Sequence, residues 1–246
     1  MDTHLLSTAA GDGRALLVAA ESDWDRPIPH CPAWDAAGLV RHTGGIYEWM
    51  TAIATARDRV SRRTLDPPPD DRAELAAWYL AALDRTIDVL GSADPTSETW
   101  TFSTTGDRRV GWWWRRLAVE VAIHRYDAES AASLDRDGPL PEPVDGDVAA
   151  AGVEEFVVEF LPGLLASESV DRLEGSLHLH ATDGLLDWWV DLGDPGAARA
   201  EKATADTAIR ATRSDLLLWL CNRAPLGSLE VIGAQGIASS WARLNR

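Results

Sequence analysis

The sequence predicts an all-α N-terminal domain followed by a smaller α+β domain. Three observations carry that division. Apolar residues recur at intervals of three and four as far as residue 132. A run dense in proline, glycine and aspartate, residues 135–146, then interrupts every pattern. Beyond it, Ser176 to Thr182 alternates with a period of two, as a half-buried strand does. The two domains are therefore expected at 1–138 and 139–246.

The first helix is expected from about His4 to Ser22, with Leu5, Leu6, Leu16, Leu17 and Val18 as core positions. Pro27, Pro29 and Pro32 then enforce an extended connection. Asp35 is placed to cap a second helix reaching about Arg59, whose apolar stripe is Leu39, Ile46, Met50 and Ile53. His42 lies on that stripe. Gly44 and Gly45 follow and permit a close approach, by a ligand or by a packed helix. A third helix is expected over Arg72 to about Gly91, on a stripe from Leu75 through Trp78, Tyr79, Ala82, Leu83 and Ile87 to Leu90, with Gly91 as its C′ residue. The fourth opens at Trp112-Trp113-Trp114 and runs to about Ala132. Four helices with short links read as an up-down four-helix bundle.

In the second domain a helix is expected from Asp147 to Phe160. The strand at Ser176 should turn at Asp183-Gly184 into Leu185 to Leu192. A strand from Thr204 to Ala211, a Ser214-capped helix to Asn222, a strand from Ser228 to Ile232 and a helix from Gln235 to Leu244 complete it.

Glu120 and His124 stand four residues apart on the fourth helix, so they lie about 40° apart on one face. Leu117 and Val121 flank them, which points the pair inward. Spacing alone leaves two readings open: ligands for a borderline metal, or a helix ion pair worth a few tenths of a kcal/mol. A third ligand favours the first reading; His42, which by itself reads as an ordinary core histidine, could supply it. Asp127, three residues after His124, is either an acceptor that orients that imidazole or an exposed carboxylate. His178 and His180 share one strand face and could bind metal, but with no carboxylate motif beside them they read as an ordinary exposed or partner-facing face. Cys31, hemmed by prolines with no evident base, reads as packing.

The chain has 246 residues and a formal charge of -16, which argues against nucleic acid and anionic membranes as partners. No apolar run reaches the eighteen or so residues of a membrane span, and no export signal is visible. With Cys31 and Cys221 as its only cysteines, the protein is expected reduced and cytoplasmic. Twelve tryptophans are read as core filling, with one or two left to line a pocket. No phosphate loop, dinucleotide fingerprint or nucleophile elbow is present.

Cys31-Pro32-Ala33-Trp34-Asp35 leading to Leu39-Val40-Arg41-His42-Thr43-Gly44-Gly45, and Arg115 through Ala128, resemble the mycothiol-dependent maleylpyruvate isomerase family of actinobacteria. Leu177-His178-Leu179-His180-Ala181-Thr182-Asp183 and Ser214 through Leu220 extend the likeness into the second domain. The resemblance implies a DinB-like bundle joined to an SCP2-like domain, and a divalent metal, usually zinc, held by His42, Glu120 and His124. It implies mycothiol, a low-molecular-weight thiol, as cosubstrate and a small electrophile as substrate. It also implies a catalytic arginine in the second domain, for which Arg210 and Arg213 are the candidates. No motif places the thiol pocket.

The residues agree with that chemistry. Three protein ligands leave a zinc ion one open position, the arrangement of catalytic rather than structural sites. A thiol arriving there would ionise, as a metal thiolate, and could add to an activated double bond. Release after rotation gives cis–trans isomerisation, and retention gives S-transfer. A metal-activated water would instead make a hydrolase, and a structural metal beside an apolar ligand site would make a non-catalytic binding protein.

Overall fold

Four long helices dominate the N-terminal half: α1 (His4–Glu21), α2 (Ala36–Ala56), α3 (Arg72–Ser92) and α4 (Val110–Ala132). The structure is a computed structural model and describes residues 3–134, 140–166, 174–193, 198–199 and 204–241. Residues 135–139 of the expected linker and 242–244 of the expected last helix lie outside the described residues. The chain divides into two compact units, Met1–Val144 and Asp145–Arg246.

In the first unit α1 packs on α4 and α2 on α3. Leu39, Met50, Ile53, Leu75, Leu83, Leu117 and Val121 are all buried, so the stripes read from the sequence do face the core. α1 is the partial exception. Leu6, Leu16 and Leu17 are buried but Val18 is 70 % exposed, because the helix turns its Leu6–Ala9–Leu16–Ala20 side inward. Trp112, Trp113 and Trp114 are buried as well, and Trp112 and Trp113 meet Phe102 edge-on at 4.5 and 5.7 Å between centroids. Burial of these rings explains why a helix with two successive arginines packs so firmly.

The helix ends follow local chemistry. Asp35 accepts from the Gly38 N–H at 2.6 Å, and Asp71 caps α3 through the Ala73 and Glu74 N–H groups. α2 stops at Ala56, before the expected Arg59, because Arg57 turns into the left-handed region at φ 57°. Gly91 is not a C′ residue: α3 continues to Ser92, and Ala93 becomes extended ahead of Pro95. The connections, residues 22–35, 57–71 and 93–109, are not the short links expected. Each carries ordered structure of its own, such as the Pro27–Asp35 and Glu98–Arg109 bridges.

The approach permitted at Gly44 is helix packing. A methyl group there would meet the Trp78 ring, with Cη2 only 2.7 Å away, whereas Gly45 has open space. Arg125, next to His124, is buried. It pairs with Asp12 (3.1 Å) and Glu129 (2.5 Å) and donates to the carbonyls of Glu142 and Pro143 at 3.1 and 3.0 Å. Val144 is buried behind that contact.

The second unit opens with α5 (Gly146–Glu155), capped by Asp145. The single helix expected to Phe160 instead widens into a π-helical turn over Phe156–Phe160 and resumes as α6 (Leu161–Leu165). Pro162, which has no N–H to donate, stands in the first turn of α6 just after the wide turn closes. Five strands follow: β1 (Ser176–Ala181), β2 (Asp187–Asp191), β3 (Ala198–Arg199), β4 (Thr207–Ala211) and β5 (Glu230–Gly233). Their order is β3-β2-β1-β4-β5, antiparallel except for the parallel β1–β4 pair. α7 (Arg213–Leu220) and α8 (Gln235–Ser240) complete the unit.

Leu177, Leu179, Trp188, Val190 and Ile209 form the buried face of the sheet, and α5 packs on α7. The β1–β2 turn keeps the expected register, with His180 opposite Asp187. However, the ladder closes at Ala181, and Gly184 does not enter the left-handed region that a tight two-residue turn requires. α7 is capped by Thr212, not Ser214. The Thr212 hydroxyl accepts from the Asp215 N–H, while Ser214 is buried in the first turn.

Candidate metal centre

α2 and α4 bring three of the candidate residues together. His42 Nε2 lies 3.3 Å from Glu120 Oε1, and His124 Nε2 lies 3.4 Å from the same oxygen. One donor atom from each falls within 4.8 Å of the other two. Two ligands at about 2.1 Å from a tetrahedral zinc ion stand ~3.4 Å apart, so the two nitrogen–oxygen separations fit an ion of that kind. The donor set of two imidazoles and one carboxylate fits it equally.

Each donor is held by a neighbour. Asp127 is fully buried and accepts from His124 Nδ1 at 3.0 Å, which leaves Nε2 with its lone pair facing the cluster. Arg116, one turn before Glu120, donates to the second carboxylate oxygen, so Oε1 is the oxygen turned between the imidazoles. The Trp34 ring covers His42 at 4.4 Å and approaches His124 at 5.9 Å. Burial, followed by the charges of His124, Arg62 and Arg116, brings the His42 pKa down to about 4. The imidazole is therefore neutral near pH 7, the form that can ligate.

Arg116 and Trp34 were not singled out in the sequence. Arg116 was visible in principle, as it precedes Glu120 by the same four residues that separate Glu120 from His124. Trp34 was not. It reaches the cluster from a loop folded by the Ile28–Trp34 and Cys31–Trp34 backbone hydrogen bonds. Cys31 also departs from expectation: its thiol donates to Asp127 Oδ2 at 3.7 Å, so it has a carboxylate beside it.

The two arginine candidates lie in the second unit. Arg210 is on β4, opposite Glu230 of β5, and pairs with it at 3.2 Å. Arg213 opens α7, where its guanidinium pairs with Asp147 at 3.0 Å and Asp183 at 3.4 Å and lies over Gly146. Those contacts describe a tie between α5, the β1–β2 turn and α7.

A helical unit that brings two histidines and a glutamate together, followed by a mixed-sheet α+β unit, defines a two-unit protein whose candidate site lies in the helical part. The N-terminal domain model of mycothiol maleylpyruvate isomerase matches residues 6–129, and the corresponding C-terminal domain model matches residues 147–242. The chain belongs to the mycothiol maleylpyruvate isomerase family. No curated protein and no solved structure matches it significantly. Among the described residues, no helix is long and apolar enough to cross a membrane.

Proposed function

We propose that this protein is a divalent-metal-dependent isomerase that uses mycothiol to interconvert the cis and trans forms of a small electrophilic substrate. The observation that carries the reading is the convergence of His42, Glu120 and His124 on one point of the helical unit, in a chain of this family. In this reading the helical unit is DinB-like, the second unit is SCP2-like, the ion is zinc and the protein works in the cytoplasm.

His42, Glu120 and His124 would hold the ion. Bound there, it supplies Lewis acidity that favours the ionised form of a thiol at neutral pH. Asp127 keeps the proton of His124 on Nδ1, and Arg116 turns Oε1 of Glu120 toward the two imidazoles. Trp34 shields one side of the pair from water. In the reaction the thiol sulfur adds to a conjugated double bond, whose electron pair moves toward the adjoining carbonyl. The former double bond then rotates as a single bond. Elimination restores the double bond in the trans form and returns the thiol unchanged. If the adduct were instead released, the outcome would be S-transfer. Arg210 and Arg213 are the candidates for a catalytic arginine of the second unit in either outcome.

The test combines metal analysis of the purified protein with an isomerase assay on maleylpyruvate, with and without mycothiol. The expected result is one tightly bound divalent ion and mycothiol-dependent turnover, both lost in His42→Ala while the helical circular dichroism persists. A protein that isomerises the substrate equally well after complete metal removal would overturn the reading.

A further inference from the structure

Strand pairing in the second unit assembles a second group of possible ligands, outside the centre described above. His178 and His180 are two residues apart on β1, so both side chains leave the same face of the sheet. β2 runs antiparallel beside β1 with Asp187 directly opposite His180 and Trp189 directly opposite His178. One oxygen of Asp187 consequently lies 2.7 Å from His178 Nε2 and 2.7 Å from His180 Nδ1. A donor atom from each residue lies within 4.8 Å of the other two. The His178 ring is stacked on Trp189 at 4.2 Å and 9°, which fixes its plane. All three residues are half-exposed, so this face is open to solutes.

We propose that His178, His180 and Asp187 form a second metal site, for a borderline divalent ion of the zinc, nickel or copper type. The argument is one of donor chemistry and preorganisation. Two neutral imidazoles and a carboxylate are the preferred donors of that group of ions, whereas magnesium and calcium favour all-oxygen sets. To ligate, each imidazole takes its other tautomer: the protons move to His178 Nδ1 and His180 Nε2, and the two nitrogens now at 2.7 Å from Asp187 present lone pairs to the ion. The separations then open by ~0.3 Å for an octahedral or tetragonal shell, or by ~0.7 Å for tetrahedral zinc, at bond lengths of about 2.1 Å. The backbone of two paired strands already holds the donors, so little ordering accompanies binding. Three protein ligands leave further positions toward solvent. Arg210 stands next to His180 across the β1–β4 pair, on the same face, and gives an anionic ligand of the bound ion a countercharge nearby.

The site does not depend on the centre in the helical unit, and the test separates the two. The full chain, stripped with chelator, is dialysed against micromolar zinc chloride and its metal content measured, in parallel with His42→Ala and with His178→Ala/Asp187→Asn. Two ions in the wild type, with one lost in each variant, support the second site. The His180→Gln single variant, which should also lose one ion, guards against a folding defect, as does circular dichroism of each stripped protein. The proposal is overturned if the sheet variants bind as many ions as the wild type, or if His42→Ala removes all zinc. A copper titration followed by electron paramagnetic resonance adds an independent readout: coupling to two nitrogens is expected in His42→Ala and should vanish when His178→Ala/Asp187→Asn is added.

Discussion

Two clusters among the described residues use the same side chains, two imidazoles and a carboxylate, on opposite kinds of scaffold. In the helical unit Glu120 and His124 are buried, and each is gripped from behind, Glu120 by Arg116 and His124 by Asp127. On the sheet His178, His180 and Asp187 are half-exposed, and the carboxylate satisfies both imidazoles itself. The difference lies in what the metal-free state costs. Arg116 satisfies one oxygen of the buried Glu120, while the other faces two imidazole nitrogens at the longer distances of 3.3 and 3.4 Å, so a cation there would replace weak contacts. The sheet cluster has good hydrogen bonds and water at hand, so an ion there must displace something already stable. The helical centre should therefore bind more tightly, and its loss should be felt by the whole unit.

The most damaging change to that ranking is His42→Ala. It should weaken metal binding at the helical centre by more than the ~10–100-fold typical of losing a residue behind a ligand. It should also abolish the rise in melting temperature that zinc gives the stripped wild type. Equilibrium competition against a chromophoric chelator and a thermal scan read both. Asp127→Asn comes next. It keeps the shape but frees the His124 tautomer, with an expected loss of ~10–100-fold in affinity and the same helical content. An unchanged affinity would show that the Asp127 contact is incidental.

Gly44→Ala tests whether close packing of α2 on α3 sets the position of His42. The clash with Trp78 should cost about 1–3 kcal/mol in urea unfolding, and Trp78→Leu in the same chain should recover part of it. The smallest effect is expected from Asp187→Asn, which should alter unfolding stability by less than ~1 kcal/mol, as half-exposed pairs do. A larger drop would mean that the sheet cluster stabilises its unit in the way assumed only for the helical one.

The helical centre was legible in the sequence because a helix writes its geometry into spacing. Glu120, His124 and Asp127 fall on one side by count alone, and His42 follows from the stripe of Leu39 and Ile46. The shielding by Trp34 was not legible, since its position depends on how residues 28–34 fold back on themselves. The sheet cluster is an instructive intermediate case. A turn centred on Asp183-Gly184 already places residue 180 opposite residue 187, and that is the register found. The missing carboxylate was therefore in view, but it is visible only when the partner strand is counted along with the strand bearing the histidines. The π-helical turn at Phe156–Phe160 left no such mark, because a helix one residue wider keeps nearly the same apolar rhythm.

Arg125 has a practical consequence for anyone who wishes to produce the helical part by itself. Its guanidinium reaches the carbonyls of Glu142 and Pro143, inside the proline-rich stretch and beyond residue 138. A fragment cut at residue 138 would strip two acceptors from a cation that water cannot readily reach, and would lose Val144, which is buried in the intact chain. Shortened there, the piece should express poorly or melt early, whereas one ending just beyond Val144 would carry its own closing clasp.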